Sequence, residues 1–353
     1  MRFALTILFC LSAALAADHP EPHSGDFLVR NFRFASGETL PELRLHYRTL
    51  GELKRDRRGI ATNAVLILHG TTGSGEGFLR DGYAGYLFGK GQLLDATRYF
   101  IILPDDIGHG GSSKPSDGLR ARFPRYRYSD MVEAEHRLVV DGLHVNHLRL
   151  VTGTSMGGMH TWMWGEQWPD FTDALMPLAS APVRIAGRNR MLRWMVSNSI
   201  RNDPEWKGGD YETPPHGFDA ALDALFFMVS APLEEHSEAP TPDAADRYIE
   251  DWIGRERRAL DPNDMLYAFE SSRDYDPSPD LDKITAPLYA INSADDEVNP
   301  PELGIMEREM PRVVRGRYIL LPETAGTRGH GTHSMPSVWS NYLGELLNAT
   351  MKK

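Results

Sequence analysis

The chain has 353 residues, 41% hydrophobic and 25% charged, a balance that suits a large packed core and excludes wholesale disorder or collagen-like repeats. Its 49 acidic residues outnumber 38 basic ones, for a formal net charge of −11. Nucleic acid and an anionic membrane surface are therefore not expected as partners, because each needs a basic face.

Residues 1–16, MRFALTILFCLSAALA, read as a secretory signal peptide. Arg2 gives the basic start, Phe3 to Leu11 the apolar run, and Ala14 and Ala16 the small residues of a cleavage site. Cleavage is expected after Ala16 or Ala17, which places the protein in the periplasm or outside the cell. The run is too short to span a bilayer, and no second apolar run reaches about 18 residues, so no integral membrane segment is expected. The only cysteine, Cys10, falls in this stretch. The mature chain is thus expected to lack disulfides, a thiolate nucleophile and cysteine-ligated zinc.

Residues 26–50 carry short β-prone runs with turn residues between them, the pattern of an antiparallel start to a sheet. Ala64–Leu68 is a continuous apolar run, as expected of a strand buried on both faces. It ends at His69-Gly70-Thr71-Thr72-Gly73, a loop placed to offer backbone N–H groups. Tyr99–Leu103 repeats the pattern before Asp105-Asp-Ile-Gly-His-Gly-Gly-Ser112, read as a tight structural turn. A helix is predicted over 128–143, and a third buried strand over Leu148–Thr152.

That strand leads into Gly153-Thr-Ser155-Met-Gly157 and a helix over 158–167. The glycines permit the sharp strand-to-helix turn that lifts a serine hydroxyl above the sheet, and the helix N-terminus favours developing negative charge. Ser155 is therefore the candidate nucleophile. A serine needs a base, and the base needs an orienting carboxylate. The candidate oxyanion donors are the backbone N–H of Met156, next after the nucleophile, and of Thr71.

Residues 183–280 break the strand–helix rhythm and read as a helical cap or lid inserted between two parts of one core, 17–182 and 281–353. Strands resume at Pro287–Ile291 and Gly316–Leu321. The first precedes three neighbouring acids, Asp295, Asp296 and Glu297; Asp296 is preferred for its spacing to Pro300. After the second come His330, flanked by Gly329 and Gly331, and His333. The glycines favour His330 as the base. The His-x-x-His spacing lacks a third ligand, so no metal is expected, and the absence of a nucleotide-binding glycine pattern predicts no cofactor. Alternating strands and helices predict an α/β fold with a mostly parallel central sheet flanked by helices.

At these residues the chain resembles the α/β-hydrolase superfamily, and within it the homoserine O-acetyltransferase-like branch. The resemblance rests on Leu94–Phe100, Phe123-Pro124 with Ser129-Asp-Met131, Gly153–Met159, Ile200–Tyr211, Asp296–Pro301 and Gly329-His330. It implies Ser155 as nucleophile, Asp296 as triad acid and His330 as base, with an acyl-enzyme passing its acyl group to a homoserine hydroxyl. The family usually has an aspartate after the histidine, which helps hold the ammonium; here it is Gly331. Its usual His-Ala-Leu-Thr-Gly is here His-Gly-Thr-Thr-Gly. Arg201 and Tyr211, and likewise Arg188 and Arg190, are candidates to contact a carboxylate-bearing substrate. Relatives are often dimers, so a homodimer is open. The reading is an exported serine hydrolase acting on a small-molecule ester, less favourably an amide; the alternative is an O-acyltransferase using an acyl donor and an alcohol acceptor.

Overall fold

The computed structural model describes residues 19–351, and the expected signal peptide lies outside them. Eight strands form one sheet in the order β1-β2-β4-β3-β5-β6-β7-β8. They are β1 (His23–Arg33), β2 (Thr39–Leu50), β3 (Ala64–Leu68), β4 (Phe100–Pro104), β5 (Leu150–Thr154), β6 (Leu175–Leu178), β7 (Leu288–Ser293) and β8 (Gly316–Leu321). β1 and β2 pair antiparallel, β2 pairs antiparallel with β4, and the others run parallel.

Every residue of β3 is buried, and alternate side chains feed different cores. Ala64, Leu66 and Leu68 join one cluster, with Trp162, Trp164 and Met131. Val65 and Ile67 join the other, with Tyr83, Trp339 and Leu346. Helices on both sides of the sheet are thus the reason its central strands are apolar throughout. The flanking helices are α1 (Asp81–Leu87), α2 (Tyr128–Arg137), α3 (Met156–Gln167) and α10 (Pro336–Ala349).

Between β6 and β7 the chain forms α4 (Gly187–Arg201), α5 (Gly217–Val229), α6 (Pro232–Glu238), α7 (Pro242–Ala259) and α8 (Pro262–Ser271); α9 (Ile305–Glu309) follows β7. Val196 and Ile200 of α4, Phe218 and Leu222 of α5, and Met265 and Phe269 of α8 share a third apolar cluster. This cluster leaves the two faces of the sheet to the other helices.

Strand β6 is short and contains Pro177, so its sequence carries no alternating run. The helix predicted over 128–143 is α-helical only to Arg137, after which one wider π turn runs from Leu138 to Gly142. Strand β5 extends through Gly153-Thr154, two residues past the apolar run, and delivers the chain directly to Ser155.

Candidate active site

Ser155 has φ 55° and ψ −108°, a left-handed backbone that a side chain rarely adopts. The turn closes through Ser155 N–H donating to the Leu178 carbonyl (2.9 Å) and Gly157 N–H donating to the His69 carbonyl (2.9 Å). A Cβ on Gly157 would lie 2.1 Å from the Leu68 carbonyl oxygen, and one on Gly153 would lie 2.3 Å from Gly157 itself. The two glycines are therefore required by contact between α3 and strands β3 and β5.

Three loops at the carboxyl ends of β5, β7 and β8 meet here, where parallel sheets place their sites. The His330 Nε2 atom lies 2.8 Å from Ser155 Oγ, and His330 Nδ1 lies 2.9 Å from Asp296 Oδ2. Asp296 is buried and accepts hydrogen bonds from the N–H groups of Val298 (2.8 Å) and Asn299 (3.2 Å) and from Asn299 Nδ2 (3.1 Å). Burial pushes its carboxyl up. The neighbouring His330 and the hydrogen bonds outweigh burial, and the carboxyl is held below its ordinary value.

The other acids of the cluster are engaged elsewhere. Asp295 accepts from Ser293 Oγ and from the Gly329 N–H (2.8 Å), so it ties the histidine loop to the end of β7. Glu297 pairs with Arg188. His333 packs edge-on against His330 with ring centres 5.2 Å apart. Burial, reinforced by His330, pushes its imidazole down to about 3. Gly329 takes φ 53°; a Cβ there would sit 2.9 Å from the Ser230 carbonyl at the end of α5. A Cβ on Gly331 would meet the Val229 carbonyl at 3.4 Å. The histidine loop thus lies flat against the backbone of α5.

Met156 is the first residue of α3, so its N–H has no acceptor within the helix. No hydrogen bond among the described residues uses the N–H of Thr71 either. Thr71 is aimed from behind: His109 Nε2 lies 2.6 Å from its carbonyl oxygen. His69 donates from Nδ1 to the Gly70 carbonyl (2.8 Å) and accepts at Nε2 from the Asp106 N–H (3.0 Å). Burial pushes its imidazole down to about 3, so it shapes the loop as a neutral ring. Asp105 accepts from the N–H groups of Gly75 (2.7 Å) and Gly111 (2.8 Å), a structural turn.

Beneath this loop Asp106, Glu135 and His160 form a buried cluster whose ligand-type atoms lie within 4.8 Å of one another. Within it Glu135 accepts from His160 Nδ1 (2.6 Å) and Trp164 Nε1 (2.6 Å). Burial pushes Glu135 up to about 7.

A cavity of about 270 Å³ opens over Ser155, lined by His330, Thr71, Phe78, Met228, Phe269 and the buried Arg193. Arg201 and Tyr211 do not line it. Arg201 faces Glu270 at 3.5 Å on another pocket, and the Tyr211 hydroxyl donates to Asp261 (2.6 Å). Both take part in the packing of the helical segment, away from the cavity over Ser155. Arg190 pairs with Glu270 (3.1 Å). Sequence reasoning missed Arg193, although a signal existed: it shares the buried face of α4 with Val196, Ser197 and Ile200, at helical spacing.

A family model of the alpha/beta hydrolase fold matches residues 63–309. The chain belongs to that family and is an enzyme of that fold. A probable acyltransferase of Methanothermobacter thermautotrophicus is 28% identical over 278 residues, 78% of this chain and 84% of that protein. A homoserine O-acetyltransferase of Thermobifida fusca is 36% identical over 197 residues, 51% of this chain and 50% of that relative. Such relatives place the chain in the homoserine O-acetyltransferase-like branch. The fold is shared with an acetylester hydrolase from Corynebacterium glutamicum, at a TM-score of 0.80 and 20% identity, over 92% of this chain and 96% of that one.

Proposed function

We propose that this protein is an exported serine hydrolase that cleaves an ester, less favourably an amide, through an acyl-enzyme on Ser155. The observation that carries the reading is the unbroken line from Ser155 Oγ through both nitrogens of His330 to the buried Asp296, facing a cavity. Ser155 Oγ attacks the ester carbonyl carbon while His330 Nε2 takes its proton. Asp296 holds the Nδ1–H and stabilises the imidazolium. The carbonyl oxygen becomes an oxyanion and accepts from the N–H groups of Met156 and Thr71. The C–O bond then breaks, the alcohol leaves with the proton from His330, and a water deacylates Ser155 by the same steps.

Residues 183–280 act as the cap of this site, between core segments 17–182 and 281–353. Residues 1–16 direct export and are removed. Among the described residues no helix is long and apolar enough to cross a membrane. The second reading is an O-acyltransferase, in which an alcohol rather than water resolves the acyl-enzyme. The names of the relatives favour it; Gly331, in place of the aspartate expected to hold an ammonium, weighs against homoserine as acceptor.

The test is the fate of the acyl group. Mature protein is given p-nitrophenyl acetate or butyrate, with and without homoserine, and Ser155→Ala serves as blank. The hydrolase reading expects Ser155-dependent release of free acid that homoserine leaves unchanged. O-acyl-homoserine as product establishes the transferase instead. Release that is independent of Ser155 overturns both.

A further inference from the structure

Arg193 is 1% exposed and lines the cavity above Ser155. Its Nε donates to Asn189 Oδ1 (2.8 Å), one terminal nitrogen donates to Ser272 Oγ (3.2 Å), and the guanidinium lies 5.5 Å from the centre of the Phe269 ring. All three are neutral partners. Among the described residues it makes no ion pair, whereas Arg188, Arg190, Arg201 and Arg273 of the same segment each pair with a glutamate. A guanidinium presents five N–H donors and stays charged, so a buried one without a carboxylate is costly unless an anion joins it.

The cavity has the same bias. Its charged walls are Arg193 inside and Arg80 in the exposed part of the wall, and no aspartate or glutamate lines it among the described residues. An anion entering it meets a desolvated, pre-oriented fork. An ammonium entering it meets no counter-ion. Arg193 also shares its cavity with the reaction centre: Ser155, His330 and Thr71 of the proposed oxyanion loop line the same walls.

Building on the serine-hydrolase reading, we propose that the enzyme selects esters that carry a carboxylate and no ammonium, with Arg193 as the anchor of that carboxylate. A carboxylate accepts two parallel hydrogen bonds from one guanidinium, which a neutral ester group cannot match.

Two pairs of substrates test this. Monoethyl succinate is set against ethyl pentanoate, with the charge on the acyl side, and 4-acetoxybutanoate against pentyl acetate, with it on the alcohol side. In at least one pair the carboxylate ester is expected to have the higher kcat/KM, by about thirtyfold or more. Arg193→Gln should collapse that ratio towards one, and Arg193→Lys should keep part of it. The wild-type comparison stands alone if Arg193→Gln does not fold. No preference in either pair overturns the proposal, as does a preference that survives Arg193→Gln.

Calorimetric binding to Ser155→Ala protein separates this inference from the activity beneath it. If no ester is turned over, but monoethyl succinate binds and Arg193→Gln abolishes binding, the hydrolase reading fails and the anion site stands. If neutral esters are cleaved through Ser155 and no carboxylate is preferred or bound, the hydrolase reading stands and the anion site fails.

Discussion

At Ser155 the backbone and the side chain make separate demands. A left-handed conformation costs a non-glycine residue on the order of 1–3 kcal/mol, and glycine avoids it at an unfolded-state cost of about 0.5–1 kcal/mol. Ser155→Gly is therefore expected to be about 1 kcal/mol more stable than Ser155→Ala in urea unfolding, although both lack turnover. Equal stabilities would mean that the turn at Ser155 holds no strain. The acids separate in the same way. Asp296→Asn removes the negative charge facing His330 Nδ1 and lets an amide N–H stabilise the wrong tautomer, and should lower kcat about a hundred- to ten-thousandfold. Asp295→Asn disturbs only the loop tie to Gly329 and should cost much less. The reverse order, measured as kcat on one ester, would move the acid to Asp295.

His333 gives a pH signature. Its folded value is pushed down to about 3 by burial, against about 6.5 in an unfolded chain. Between those values the unfolded state binds more protons, so the stability this group permits is full above about 6.5 and lost as pH falls towards about 3. His333→Gln should therefore show a shallower loss of melting temperature between pH 7.5 and pH 5 than the wild type. An unchanged slope would mean that His333 is not held neutral in the fold.

At the scale of elements, the strand-to-helix turn from β5 into α3 is the most constrained. Gly157→Ala drives a Cβ into the Leu68 carbonyl, which side-chain repacking cannot relieve. We expect a loss of about 1–3 kcal/mol in urea unfolding together with loss of turnover, because α3 must move off β3 and carry the Met156 N–H with it. This turn was legible in the sequence because so close a strand-to-helix contact needs glycines at fixed spacing. Asp296 and His330 were legible because acids and glycine-flanked histidines follow apolar strands. Strand β6 was not, since four residues with a proline show no period. Arg193 was legible only as a member of the buried face of α4, through its spacing to Val196 and Ile200; its residue type points to the surface instead.

For the whole molecule, strand order brings the site together. β3 lies beside β5, so the Thr71 loop reaches Ser155 directly. β7 and β8 lie beyond β6, so the acid and the histidine must return over the sheet edge through residues 294–300 and 322–330. The proposed export adds a prediction at this scale. Protein recovered from outside the cytoplasm of a bacterial host should begin at Ala17 or Asp18 by intact mass, and recovery of the full-length chain would refute cleavage.

The histidine loop rests on the carbonyls of Val229 and Ser230, with glycines allowing the approach. In the language of hydrogen exchange, the amides of Gly329 and Gly331 bond to Asp295 and to the Arg328 carbonyl, in a loop packed on the end of α5. They should therefore share one opening free energy with the last turn of α5, where Ser230 N–H bonds to the Phe226 carbonyl. A bound molecule that steadies that turn would slow deuterium uptake around His330 without touching the imidazole. On this expectation the roof of the cavity and the proposed base would open and close as a single thermodynamic unit.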